Sequence, residues 1–227
     1  MQVSDASCPR CPAPVGTTEL DGETAHTCPT HGAVAPLWRA DALDYAALVA
    51  QVDLSDEQAS LVPWPLGPGW AVTALATAGS PRTVATLVGV SGTSAIDGPV
   101  DVLVVHERPG TGLGARCAGV PGEPGPEAFE APPLVRLRAE HRQVNLWPVS
   151  TGSTDVDVLL DLPGVEPDDD GQDRSVLVGE VDGQWLWLVV RPASAVLMLR
   201  EGWHLRDLTT LGPALVQIGF GETGQPW

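Results

Sequence analysis

The chain has 227 residues and 43% apolar content, enough for one sizeable core and a small appended module. Lys plus Arg total 12 against 29 Asp plus Glu, every cation is Arg, and the net charge of −17 argues against duplex DNA or an anionic membrane surface as partner. A basic partner, or simple solubility, fits that charge better. The absence of Lys reads as the codon bias of a GC-rich genome and says nothing about mechanism.

Met1 to Ser7 has no cationic start and no apolar run, so no secretory signal is expected. Nowhere do about 18 apolar residues run uninterrupted, which predicts no spanning helix. Clustered cysteines in such a chain point to a reducing cytoplasm and to metal rather than disulfides.

Cys8-Pro9-Arg10-Cys11 and Cys28-Pro29-Thr30-His31 are two ligand pairs of equal spacing, separated by sixteen residues. Two residues between ligands let one tight turn aim both side chains at a common ion, and two such turns complete a tetrahedron. Thr17 to Leu20 and Glu23 to Thr27 flank Asp21-Gly22, a hairpin signal that returns Cys28 to the vicinity of Cys11. The expected site is therefore a structural zinc held by Cys8, Cys11, Cys28 and His31 in a small zinc ribbon over residues 1–37. His26 is the rival fourth ligand, but it falls on the strand rather than the turn. Three thiolates and a neutral imidazole close the shell and leave no coordination position for substrate.

Residues 38–63 read as a helical linker, with a helix from Asp41 to Val52 capped by Asp41 and an apolar face of Leu43, Ala47 and Ala50. Trp64-Pro65-Leu66-Gly67-Pro68-Gly69-Trp70 interrupts any helix and opens the main domain, residues 64–227. Short β-branched runs divided by Gly and Pro then predict a mainly antiparallel sheet, so the expected class is α+β with few short helices. Trp70 to Ala78 and Arg82 to Val90 form a hairpin, Val100 to His106 follows, and strands are expected at Leu134 to Arg138, Val144 to Val149 and Val156 to Leu162. Pro163 to Asp173, with Asp168, Asp169 and Asp170 adjacent, reads as an acidic loop.

Ser175 to Val181 and Gln184 to Arg191 pair across Asp182-Gly183. In the second strand Trp185, Trp187 and Val189 share one face and Leu186, Leu188 and Val190 the other, which predicts a central strand covered on both sides. Ala195 to Leu199 is expected to return beside it, and a last helix around Leu205 to Leu211 to stop at Gly212-Pro213.

The remaining constellations have plain readings. Gly110 to Arg116 invites a phosphate loop after Val100 to His106, but it lacks the Walker Lys, and Pro121-Gly122 leaves little room for the helix such a loop needs. Arg116 suits a structural ion pair. Cys117 suits the core. His106 beside Glu107, and His141 near Glu140, make weak dyads, since adjacent strand residues point to opposite faces. Ser91-Gly92-Thr93-Ser94 lacks the nucleophile elbow. Eight Trp against two Phe and one Tyr suit core and interdomain packing, with Trp38, Trp64, Trp70 and Trp203 freest to line a groove.

The order and spacing of the Cys8-x2-Cys11 and Cys28-x2-His31-Gly32 knuckle, Trp64-Pro65-Leu66 to Gly69-Trp70, Gly112-Leu113-Gly114-Ala115-Arg116 and Trp185-Leu186-Trp187 resemble an uncharacterised actinobacterial family of unknown function across nearly the whole chain. Members sometimes carry the label phosphotransacetylase, although the motifs here show neither its expected size nor an evident coenzyme A site. The resemblance implies a shared architecture without an activity. The expected function is a non-enzymatic cytoplasmic binding or adaptor protein with a protein partner. The alternative is an enzyme or small-ligand-binding domain with a groove near Arg116, Trp64 and Trp70.

Overall fold

The computed structural model describes residues 5–20, 23–55, 58–149, 173–200 and 203–222. The expected strand at Val156 to Leu162, the acidic loop up to residue 172 and the Asp21-Gly22 turn lie outside the described residues. The chain is mostly strand with few helices. Strands β1 (Gly16–Leu20), β2 (Glu23–Cys28) and β3 (Gly32–Ala33) make a three-stranded antiparallel sheet near the N-terminus. Register Leu20↔Glu23 closes the first hairpin and Cys28↔Gly32 the second.

Ten strands form the large sheet: β4 (Leu37–Arg39), β5 (Leu61–Trp64), β6 (Ala71–Gly79), β7 (Thr83–Ser94), β8 (Gly98–Glu107), β9 (Val135–Ala139), β10 (Arg142–Pro148), β11 (Ser175–Val181), β12 (Gln184–Arg191) and β13 (His204–Asp207). Their order is β4-β6-β7-β8-β12-β11-β10-β9-β13-β5. Neighbours are antiparallel except β9 with β13, which run parallel. The sheet curls until β5, last in the order, lies over β7 and β8. Just before β5 the Ala59 carbonyl accepts from Thr86 Oγ1 at 2.7 Å and meets His106 Nδ1 at 3.2 Å. Facing a carbonyl, that ring nitrogen must carry the hydrogen.

The double alternation of β12 becomes two apolar clusters on opposite faces. Leu186, Leu188 and Val190 enter the cluster enclosed by the curled sheet, with Val102 and Val104 of β8 and Leu48 of helix α1 (Tyr45–Asp53). Trp187 and Val189 enter the other, with Leu103 and Val105 of β8, and helix α2 (Leu113–Ala118) covers it through Leu113, Ala115 and Cys117. Pairing β12 with β8 on one side and β11 on the other leaves it no free edge. A strand buried on both faces and hydrogen-bonded on both edges is the most enclosed position a sheet offers.

Three elements differ from expectation. The first helix begins at Tyr45, and its cap is Asp44 rather than Asp41, with Asp44 Oδ1 accepting from the Ala47 N–H at 2.8 Å. Its buried residues are Ala47, Leu48 and Gln51, so the apolar face is rotated from Leu43, Ala47 and Ala50. Ala193–Arg200 is a 3-10 helix, not a strand returning beside β12, because both edges of β12 are taken. The stretch expected as a last helix supplies β13, whose Leu205 is buried between the less buried His204 and Arg206; 3-10 turns follow at Leu208–Thr210 and Gly212–Gln217. A slot between β5 and β9 gives the backbone of β13 ladder partners on both sides, which outweighs helix propensity over so short a segment. Within residues 38–63, β5 and the end of β4 are also built into the large sheet. Among the described residues no helix is long and apolar enough to cross a membrane.

Candidate metal centre

Backbone hydrogen bonds fix both C-x2 turns, the second of them at the end of β2. Cys8 donates its N–H to the Ala13 carbonyl at 2.9 Å, while Ser7 exchanges two hydrogen bonds with Leu37, fastening the first turn to β4. Cys28 ends β2, and the Pro29-Thr30-His31 turn enters β3 through Gly32 at φ +68, a left-handed conformation that glycine adopts without cost.

These turns bring Cys8, Cys11, Cys28 and His31 together, with one donor atom of each lying within 4.8 Å of all the others, a set that could hold a metal ion. Cys11 Sγ lies 3.7 Å from Cys28 Sγ, and His31 Nδ1 lies 3.5 Å from Cys8 Sγ and 3.6 Å from Cys28 Sγ. A tetrahedral ion with metal–sulfur bonds of about 2.3 Å and metal–nitrogen bonds of about 2.0 Å has ligand–ligand edges of roughly 3.5–3.8 Å, so the donor set fits. The group forms without His26, which remains in β2. The Arg10 N–H points at Cys8 Sγ at 3.4 Å, the kind of backbone donor that steadies a thiolate. Burial pushes the Cys8 thiol up, against the N–H of Arg10; at Cys28 burial is outweighed by the N–H groups of Thr30 and His31, and its thiol moves down.

The cluster is docked on the glycine-rich stretch. Arg116 donates to the Cys8 carbonyl at 2.6 Å, and Arg10 reaches back to the Thr111 carbonyl at 3.3 Å and to the Gly110 carbonyl. Two arginines thus cross the seam in opposite directions. Gly112 makes room: a Cβ there would come within 2.8 Å of Arg10 Cγ. A cavity of about 350 Å³ opens along the seam, lined by Arg10, His31, Arg116 and Glu123 among others.

A short helix of six residues, α2, does follow the glycine-rich stretch in the little room that Pro121-Gly122 leaves. Its first amides are occupied from within the chain. Glu107, wholly buried, accepts from the Leu113 N–H at 2.8 Å and the Gly114 N–H at 3.0 Å. A carboxylate thus fills the place a phosphate would need. Burial pushes the Glu107 carboxyl up to about 7 even though those two amides pull it down. Gly114 lets the helix lie flat on Trp187, since a Cβ would fall 2.1 Å from the indole. No local pattern announces this role of Glu107; a carboxylate on a strand end, followed within seven residues by glycines, was the one available signal.

The other sequence candidates are dispersed. Cys117 is 2% exposed, and burial pushes its thiol up to about 12, so it is a core residue. His106 projects to the face opposite Glu107, and burial lowers its imidazole. Trp64 and Trp70 pack against the enclosed cluster, Trp70 edge-on to Trp203 with centroids 5.0 Å apart. Arg116 lies on α2, which covers the other face, so the sheet separates it from Trp64 and Trp70. Phe129 stacks on Trp185 and meets Trp147 edge-on, accounting for two more of the indoles.

Neither a curated protein nor a solved structure matches the chain. Residues 1–160 and 166–225 match a family of unknown function, DUF6758. With nearly its whole length matched, the protein belongs to this family of unknown function.

Proposed function

We propose that the protein is a non-enzymatic binding or adaptor protein whose N-terminal residues 1–37 form a zinc ribbon, with a structural zinc on Cys8, Cys11, Cys28 and His31. The observation that carries this reading is the set of four converging donors at tetrahedral spacing. Sulfur-rich tetrahedral sites favour zinc among common intracellular metals, and four protein ligands leave no position for substrate. Three thiolates, a neutral imidazole and a divalent ion leave about one net negative charge, which suits a clip rather than a catalyst. In this reading residues 38–63 link the ribbon to the sheet domain of residues 64–227, and the acidic chain meets a protein partner in the cytoplasm. An actinobacterial source accords with the complete use of Arg in place of Lys.

Metal analysis of the reduced, purified chain tests the site: about one zinc per chain is expected, and less than about half an equivalent sinks the claim. Affinity capture from native extract tests the adaptor role by comparing the metal-loaded chain with Cys28→Ser. A protein retained only by the former supports it; an enzyme activity without any retained protein overturns it. The competing reading is a small-ligand domain, and the seam cavity beside Arg116 favours it. Its Trp64 and Trp70 half has no support, because both indoles pack against the opposite cluster.

A further inference from the structure

The outer face of β9 and β13 gathers cations in a chain that has few. Along β9, Val135, Leu137 and Ala139 are buried, so Arg136 and Arg138 project outward on one face, about 7 Å apart. On β13 the burial of Leu205 turns His204 and Arg206 to the same outer face. The parallel pairing sets His204 directly beside Arg138. These residues line a groove of about 510 Å³, within the range of small-molecule sites.

The charge of this groove is opposite to that of the molecule. Among the described residues its lining holds Arg136, Arg138 and Arg206, two histidines and a single carboxylate, Glu140, whereas acids outnumber arginines 29 to 12 over the chain. Glu140 is already engaged: its Oε1 takes Arg206 Nε at 3.2 Å, Thr210 Oγ1 at 2.9 Å and the Asp207 N–H. Burial would raise its carboxyl, but these donors overcome that and hold it below the ordinary value, so it is ionised and spent on Arg206. The guanidinium groups of Arg136 and Arg138 have no ion pair or hydrogen bond among the described residues. Two like charges on one strand face repel, and guanidinium forks match phosphate oxygens in geometry and charge. Trp203 adds an aromatic wall and meets Trp70 edge-on.

We propose that the groove over the outer face of β9 and β13 binds a small, multiply charged phosphate-bearing molecule, with Arg136 and Arg138 as the principal contacts and His204 beside them. This site is independent of the metal cluster. Neither strand carries a metal ligand, and the seam cavity shares no lining residue with it.

Titration of the full chain with inorganic pyrophosphate by calorimetry tests the proposal. Saturable binding of a single pyrophosphate is expected at submillimolar concentration, and the Arg136→Gln/Arg138→Gln double variant weakens it by at least about tenfold at unchanged melting temperature. Arg142→Gln, which removes a surface cation paired with Asp182 on the neighbouring hairpin, leaves affinity within about twofold. No saturable binding up to about 5 mM, or equal binding by the double variant, overturns the assignment. ADP in the same titration separates the sources of the phosphate. A gain over pyrophosphate that Trp203→Phe diminishes assigns a nucleotide, and equal affinities assign a free oxyanion.

Discussion

Among the residues from 5 to Val34 whose burial is described, the buried positions are Cys8, Pro9 and Cys28, whereas the large sheet buries aliphatic side chains on both of its faces. The first region has a three-stranded sheet and almost no apolar interior; the second has a strand, β12, with no exposed face or free edge. In the proposed reading, cohesion in the first comes from a metal on the donor cluster and from the docking of that cluster on α2. Cohesion in the second comes from removing apolar surface from water. With a metal in place, the comparison teaches that a small module can dispense with a core when a few strong ligands converge, and that it then depends on one chemical condition.

Metal removal is the sharpest way to break that contrast. With zinc in the cluster, chelation removes about 10–16 kcal/mol of apparent binding energy from the N-terminal module. Residues 5–34 are then expected to lose hydrogen-exchange protection and become protease-sensitive while the sheet retains its strand signal. Simultaneous loss of the whole sheet would show the two regions to be one cooperative unit. The reverse experiment is Leu188→Ala on β12, expected to cost about 2–5 kcal/mol in global unfolding with metal content unchanged. Denaturant titration reads the first quantity and metal analysis the second.

The pH response of Glu107 probes the layer between the regions. Its carboxyl stands at about 7 when folded against an ordinary value of 4.5, so between these pH values the folded chain keeps a proton that the unfolded chain has released. The stabilisation is present below about 4.5 and is lost as pH rises through about 7. His106, lowered by burial, acts with the opposite sign: its contribution is present above the ordinary histidine value and declines as pH falls. The stability difference between the metal-loaded wild type and Glu107→Gln cancels the His106 and metal contributions. That difference should fall by up to a few kcal/mol across the window and be flat above it; no slope would remove the buried titration from the account.

The smallest expected effect lies at the seam. Arg116→Ala deletes the hydrogen bond to the Cys8 carbonyl and should cost about 1–2 kcal/mol, seen as faster exchange of the N-terminal amides rather than a lower sheet stability. A global loss instead would mean that α2, not the knuckle, depends on this side chain.

Sequence alone determined the features that depend on near neighbours. The two C-x2 turns with a hairpin between them specify a ligand cluster because both operations are local. The two-residue period of Trp185 to Val190 specifies a doubly buried strand because alternation is a property of one segment. Tertiary structure decided what needed a partner distant in the chain. Whether His204 to Asp207 becomes helix or strand turned on an open slot between β5 and β9, and Ala193–Arg200 took a 3-10 path because β12 had no edge left. The pairing of Arg138 with His204 joins residues far apart in sequence, and the seating of Glu107 beneath α2 depends on how the loop after β8 closes. Local patterns fix which face is apolar and which turn is tight; which surfaces meet is decided only when every backbone donor and every buried charge has found its place.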